Sequence, residues 1–334
     1  MRLPIWIEGI GRNRRISVLK NQIETSGGST ERLNPALSIV LVCWNNKAYL
    51  DPCLKSLYDT GMRNTFDVVV VDNGSTDGSQ QMLAEKYPQV RIIQNESNLG
   101  LGKASNEGIE ATQGRYILLL NNDTVVNGAA FDIMVDFLEE HSRVGAVGGK
   151  VLNPDGSVQS CYNHFSSLAE EFLVATRIGE MIRPGYPAVV RGEEIKPVDW
   201  ITSACLMVRR AALKEVGLLD ENYFIYGDEA DLQYRIKKAG WEIFYLPSAT
   251  IIHYGGRSMT RWPRRKLVYR GKMLFFQKHY SALKTSLLRV MLALISSIKM
   301  LFWGVVYILP SKRELAGKEI RSNLDVIGLC ITLV

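Results

Sequence analysis

The chain has 334 residues, 46% of them hydrophobic and 22% charged. That composition excludes an intrinsically disordered chain and leaves room for one large domain or two ordinary ones. The net charge of +6 is smaller than the contribution of a single stretch, 257 to 309, which holds eleven Lys or Arg and no acid. The five cysteines are odd in number, scattered and without CxxC pairs, a usage that fits a reducing cytosol better than secretion.

The opening MRLPIWIEGIGRNRRISVLK has no uninterrupted apolar core and no small-residue cleavage site, so it does not read as a signal peptide. Residues 1–36 read as a basic arm, with GRNRRISVLK as a short helix and TSGGSTERLNP as a linker. After Pro35 an alternation begins. LSIVLVCW (37–44), FDVVVVD (66–72), VRIIQ (90–94) and RYILLL (115–120) read as buried strands. YLDPCLKSLYDT, GSQQMLAEKY, KASNEGIEAT and AAFDIMVDFLEEH read as the helices that follow them. Continuously apolar strands separated by helices predict an α/β fold with a mainly parallel sheet covered on both faces. Beyond Gly149 the rhythm weakens: 200–213 reads as a strand entering a helix, 223–241 as a loop entering a helix, and 242–256 as extended segments ending near His253.

In such a sheet, ligands bind beyond the carboxyl ends of the strands. Those ends are polar here: Trp44-Asn45-Asn46, then DNGSTDGS (72–79), NESNLGLG (95–102) and NNDT (121–124). Turn chemistry and helix caps favour the same residue types, but four such loops on one sheet edge, three with carboxylates, exceed what turns alone require. The position after the first strand holds CWNNKAYL rather than GxGxxG, and GLGKAS (100–105) lacks the GxxxxGK[ST] spacing. A dinucleotide oxidoreductase and a P-loop ATPase are therefore excluded, and a nucleotidyltransferase lacks its basic glycine-rich loop. A carboxylate at a strand end suits a divalent cation that keeps open positions for a diphosphate.

The blocks LSIVLVCWNN, VVVVDNGSTDGS, NLGLGKASNEGI, YILLLNNDT, SACLMVRRAAL, FIYGDEADLQYRIKKAGW and IIHYGGRS occur in the order and at the spacing of family 2 glycosyltransferases. Over about 37–260 the chain resembles the rhamnosyltransferase-like branch that builds bacterial surface polysaccharides. The resemblance implies a GT-A fold, with 37–125 as the nucleotide-sugar-binding half and 126–260 as the acceptor-binding half. It places Asp72 on the nucleobase or ribose and Val42, Trp44 and Asn45 around the base. Asn98 and Lys103 fall where the family closes over the nucleotide sugar. NNDT takes the place of the family's DxD motif: Asp123 matches the direct metal ligand, Asn121 replaces the first acid, and Asn122 shapes the turn between them. His253 matches a second metal ligand, for Mg or Mn. GDEADL replaces the family's Glu-Asp pair, so Glu229 takes the general-base position and Asp228 supports it or contacts the acceptor; the same acids also suit a helix N-terminus. Arg257 is placed to meet the diphosphate and Arg235 to pair with one of the two acids. Ser203 departs from the family's TGA.

The implied reaction is an inverting, metal-dependent transfer from a nucleotide sugar, dTDP-rhamnose being the first choice and UDP-galactofuranose or UDP-N-acetylglucosamine the alternatives. The acceptor is a hydroxyl of a lipid-linked or polysaccharide chain in cell-envelope synthesis. A decayed, membrane-bound nucleotide-sugar-binding protein is the rival reading, allowed by Asn121 and by the inverted acid order. Residues 261–334 read as a basic, apolar helical tail. The segment 290–309 is long enough to span a bilayer, but Lys299 near its middle costs about 2.5–3.5 kcal/mol on insertion. Thr285, Arg289, Ser296 and Lys299 fall on one side of a helical wheel, which predicts an interfacial helix with its basic face toward anionic headgroups. The expected partners are a nucleotide sugar, a lipid-linked acceptor and an anionic membrane surface at the cytoplasmic face, with no nucleic acid.

Overall fold

The computed structural model describes residues 35–126, 129–183, 186, 193–255 and 261–332. The basic arm, apart from its last two residues, and Arg257 lie outside the described residues. Strands β1 (Leu37–Cys43), β2 (Phe66–Asp72), β3 (Arg91–Gln94) and β4 (Tyr116–Asn121) alternate with helices α1 (Lys47–Asp59), α2 (Ser79–Lys86) and α3 (Leu101–Glu110). The short β5 (Thr124–Val126), α4 (Ala130–Glu140) and β6 (Val144–Leu152) follow. Next come β7 (Tyr162–Asn163), α5 (Leu168–Thr176), α6 (Ile178–Ile182), β8 (Lys196–Pro197), β9 (Trp200–Ile201), β10 (Cys205–Arg209) and α7 (Arg210–Val216). The chain continues through α8 (Asp228–Lys238), β11 (Glu242–His253), α9 (Arg261–His279), α10 (Ala282–Val306) and α11 (Arg313–Thr332).

The main sheet runs β3-β2-β1-β4-β10-β6-β11-β5, with β8 also paired to β11. β3, β2, β1 and β4 are mutually parallel. β10 alone reverses between β4 and β6, and β11 runs parallel to β6. The carboxyl ends of β1, β2, β4 and β11 therefore emerge on one edge. The apolar runs explain why: Leu37, Ile39 and Leu41 of β1 and Ile117 and Leu118 of β4 are fully buried, as strands covered on both faces require. Helix α1 turns Leu50, Cys53, Leu54 and Leu57 inward at helical spacing, each buried leucine stabilising by about 1.5–3 kcal/mol.

The tail forms a second, smaller core from Met273, Phe275, Phe276, Leu288, Leu292 and Val326, joined by Ala175 of α5. Helix α10 is long and apolar enough to cross a membrane by length and composition, but its orientation reverses the sequence reading. Thr285 and Ser296 are buried; the Thr285 hydroxyl donates to the Phe276 carbonyl at 3.1 Å, and Lys299 Nζ donates to the Ala175 carbonyl at 2.5 Å. The polar side faces the body because carbonyls there satisfy it. The apolar side, Leu283, Leu287, Val290, Leu294, Ile298 and Leu301, faces outward.

Candidate active site

The loops after β1 and β2 are stitched together by Asn45, which holds a left-handed backbone (φ 50°) that Asn tolerates better than most residues. Its N–H donates to Ser75 Oγ at 2.9 Å, and its Oδ1 accepts the Thr76 N–H at 2.7 Å. Trp44 beside it is 45% exposed, an aromatic face left open at the sheet edge. Asp72 closes β2 and is fully buried. Its Oδ2 accepts from Gln80 Nε2 at 2.6 Å and from the Ser75 N–H at 3.3 Å, whereas Oδ1 is buried without a partner. A buried carboxylate oxygen left bare is costly, so Oδ1 marks a place for a ligand N–H or O–H. Asn98 is a loop tie: its Oδ1 accepts from Asn73 Nδ2 at 3.0 Å and from the Gly100 N–H at 2.9 Å. Lys103 lies 3.8 Å from Glu221.

At the end of β4 the three residues divide their work. Asn122 donates to the Val42 carbonyl at 2.7 Å and accepts from Asn46, so its side chain joins the turn to β1. Asn121 and Asp123 instead meet His253 at the end of β11, whose backbone stands opposite Thr124 of β5. His253 Nε2 lies 3.1 Å from Asp123 Oδ1 and 3.1 Å from Asn121 Nδ2. Gln159, which the sequence reading missed, fixes the imidazole at two points. Its Nε2 donates to the His253 carbonyl at 2.6 Å, and its Oε1 lies 2.9 Å from Nδ1. With Nδ1–H donating to Gln159, Nε2 is left as a lone pair that accepts from Asn121 and faces the Asp123 carboxylate. Two electron-rich atoms facing each other, one imidazole nitrogen and one carboxylate oxygen, fit a divalent cation that completes its coordination with other oxygens. Among the described residues no third His, Cys, Asp or Glu joins them.

The acidic pair opens α8. The turn before it has two successive left-handed residues, Tyr226 (φ 67°) and Gly227 (φ 102°), and the Gly227 N–H donates to Glu229 Oε2 at 3.0 Å. Asp228 is fully buried, and both its carboxyl oxygens lack partners. Burial, and then the neighbouring Glu229 charge, hold its carboxyl well above the usual carboxylate range. The shift disfavours a second negative charge beside Glu229. Asp228 lines a cavity of about 30 Å³ together with Val42, Asn121 and Ser203, so one space connects the nucleotide-side strands, the NNDT turn and the start of α8.

Arg235 does not pair with Asp228 or Glu229. Its Nε meets Asp231 at 2.9 Å, because one helical turn separates them, and its other nitrogens donate to the carbonyls of Val216 and Leu218. Asp231 is fully buried and also takes Lys278 Nζ at 2.8 Å and His279 Nε2 at 2.7 Å from α9. Burial opposes its ionisation, but hydrogen bonds from His279 and Lys278 and the Arg235 charge outweigh it and bring its pKa to about 2. Two turns earlier on the same helix Gly271 faces the Tyr226–Gly227 turn: a Cβ there would come 2.1 Å from the Tyr226 carbonyl oxygen. The tail thus buttresses the segment that carries Glu229.

Residues 38–217 match the description Glycosyl transferase family 2. The chain belongs to that family. It is 31% identical over 258 residues to N-acetylglucosaminyl-diphospho-decaprenol L-rhamnosyltransferase of Mycobacterium tuberculosis, covering 73% of this chain and 84% of the relative. Among solved structures it is similar to a mannosyltransferase of Pyrobaculum calidifontis in complex with GDP-Man and Mn2+, with TM-score 0.53, 13% identity and coverage of 90% and 88% of the two chains. It is also similar to GalNAc-T7 with UDP, GalNAc and Mn2+, with TM-score 0.52, 15% identity and coverage of 72% and 48%. These likenesses show the fold, a GT-A-like α/β sheet flanked by helices. As a family 2 member the chain is a glycosyltransferase by class, moving sugar from a nucleotide-sugar donor to an acceptor. Gln159, Gly271 and His279 left no signal in the sequence, because their partners lie more than forty residues away; Asp231 left one in its spacing to Arg235.

Proposed function

We propose that this family 2 member is an inverting, metal-dependent glycosyltransferase that moves rhamnose from dTDP-rhamnose to a hydroxyl of a polyprenyl-diphosphate-linked saccharide in cell-surface glycan synthesis. The reaction takes place at the cytoplasmic face of a bacterial membrane, against an anionic surface. The observation that carries the reading is the corner of Asn121, Asp123 and His253, which shares a cavity with Asp228 on the sheet edge where Asp72 also ends its strand. The name of the mycobacterial relative supports the sugar and the acceptor class.

In this mechanism the bare Oδ1 of Asp72 accepts an N–H or O–H of the nucleoside, and Trp44 and the Val42 region flank the base. Asp123 and His253 would hold the cation, Gln159 fixing the imidazole tautomer, and the Asn121 amide, which here meets Nε2, would yield that lone pair to the metal. A bound Mg or Mn supplies positive charge against the diphosphate that leaves. Glu229, half-buried and next in sequence to the cavity-lining Asp228, accepts the proton of the acceptor hydroxyl as that oxygen attacks the anomeric carbon from the face opposite the nucleoside diphosphate. The new C–O bond forms as the old one breaks, and the nucleoside diphosphate departs with the electron pair. Asp228, whose two carboxyl oxygens are buried without a partner, hydrogen-bonds an acceptor or donor hydroxyl.

The test is a mass-spectrometric screen of dTDP-, UDP- and GDP-sugars with Mg or Mn and a prenyl-diphosphate saccharide. Transfer from dTDP-rhamnose, abolished in Glu229→Gln, supports the reading. Metal-dependent nucleotide-sugar binding without transfer from any donor would replace it with the decayed binding protein.

A further inference from the structure

Away from the sheet edge, where α10 packs on α5, α9 and α11, two arginines contact one buried acid and two further cations stand on the neighbouring helices. Glu319 of α11 is 4% exposed. It receives Arg265 through both terminal nitrogens, at 2.7 and 3.3 Å, and Arg261 at 3.2 Å. Lys299 of α10 donates to the Ala175 carbonyl, two residues before Arg177, which ends α5 with a left-handed backbone (φ 64°). The packing of α10 against α5, α9 and α11 brings Lys299 and the end of α5 to the Arg265 side of the bundle; burial first, and then the charges of Arg265 and Arg177, press the Lys299 pKa downward. The indole N–H of Trp262, next to Arg261, is buried without a partner. One carboxylate does not neutralise four cations, and like charges in a partly dry setting repel until an anion joins them. Three of the four are arginines whose planar forks suit phosphate oxygens.

Position narrows the anion. Arg265 and Arg261 precede Gly271 by six and ten residues on α9, about 9 and 15 Å at 1.5 Å per residue. Gly271 lies against Tyr226, two residues before Asp228. On the other side, Lys299 belongs to the helix that turns Leu294, Ile298 and Leu301 outward. The cations therefore stand between the catalytic turn and an apolar face, at a separation that a sugar unit or two can bridge.

We propose that Arg177, Arg261, Arg265 and Lys299 form the phosphate subsite for the lipid-diphosphate part of the acceptor. The assignment of acceptor rests on the glycosyl-transfer reading; the anion site does not. The apolar face of α10 then lies along the bilayer, and the site reads phosphate at its edge.

Full-length protein in EDTA, titrated calorimetrically with inorganic diphosphate, tests the anion site without the metal corner. The probe variant is Arg177→Gln/Arg261→Gln, since both side chains are largely solvent-exposed and the Arg265–Glu319 pair stays intact; an unchanged melting temperature verifies its fold. Expected are at least tenfold weaker diphosphate binding in that variant and unaltered binding in Asp123→Ala. In transfer assays its KM for a prenyl-diphosphate saccharide rises at least tenfold with kcat and donor KM held, and the loss is confined to acceptors that carry phosphate. Equal diphosphate binding in variant and wild type overturns the site, as does a KM rise shared by a phosphate-free alkyl glycoside. Phosphatidylglycerol vesicles that compete as well as the prenyl diphosphate would make it a general headgroup site and overturn the acceptor assignment. Diphosphate binding that persists while no donor supports transfer keeps the anion site and removes the glycosyl-transfer reading.

Discussion

The edge proposed to bind the donor and the turn proposed to carry the base are held by different means. At the donor edge, backbone ladders do the positioning: Cys43 stands opposite Asp72 and Val42 opposite Asn121 in the parallel registers of β1 with β2 and β4, and Asp72 and Asn121 are the last residues of their strands. The catalytic turn has no ladder. Asp228 and Glu229 follow two left-handed residues and are held by a buried ion cluster on Asp231 and by a helix that begins more than thirty residues later. A site half built on strand ends and half on a braced loop should respond to substitution in two distinct ways. Donor-side changes should alter binding, whereas turn-side changes should alter turnover.

The largest expected effect is on the donor side. Asp123→Ala removes the only carboxylate facing His253 Nε2 among the described residues, and transfer should fall about a thousandfold, in keeping with the several kcal/mol that a placed cation supplies. Mn2+ binding followed by EPR should vanish with it; retained Mn2+ affinity would break the comparison. Gln159→Leu is the next step down. It frees the imidazole, and outer-shell losses of this kind weaken metal binding roughly 10–100-fold, so extra Mn2+ should restore its rate.

On the turn side, Gly271→Ala drives a methyl toward the Tyr226 carbonyl. The expected result is a kcat lowered about tenfold, or about 1.4 kcal/mol of barrier, with nucleotide-sugar affinity unchanged in the same preparation. A rise in donor KM instead would show that the turn and the donor edge are one unit. The smallest effect is on stability. Because the folded pKa of Asp228 is raised, its contribution is fully present below the unfolded value near 3.8 and is lost as pH rises through the folded value. Asp228→Asn should therefore melt progressively higher than wild type as pH climbs through that window, and equal melting curves at every pH would show that the carboxyl is not strained by burial.

This division also explains what the sequence disclosed. The four parallel strands were legible because a buried strand writes a continuous apolar run, and Asp72, Asn121 and Asp123 were legible because they end those runs. His253 was found only through its motif. Gln159 was invisible: it sits in an irregular stretch, and its meaning comes from a partner 94 residues away. The helical wheel of α10 identified the polar side but not its direction, because it cannot know that carbonyls of Ala175 and Phe276 wait on the protein side. Arg235 was placed near acids, yet Asp231, not the catalytic pair, lies one turn away on its own face.

The central claim is that Glu229, on the braced turn, takes the proton while the strand edge holds the donor and the cation that its leaving diphosphate needs. A side-by-side measurement of nucleotide-sugar affinity and transfer rate in Glu229→Gln tests it most directly. The account predicts metal-dependent donor binding equal to wild type with turnover lowered by about 10²–10⁴-fold, the range of a positioned general base. Turnover matching wild type at every pH would contradict it.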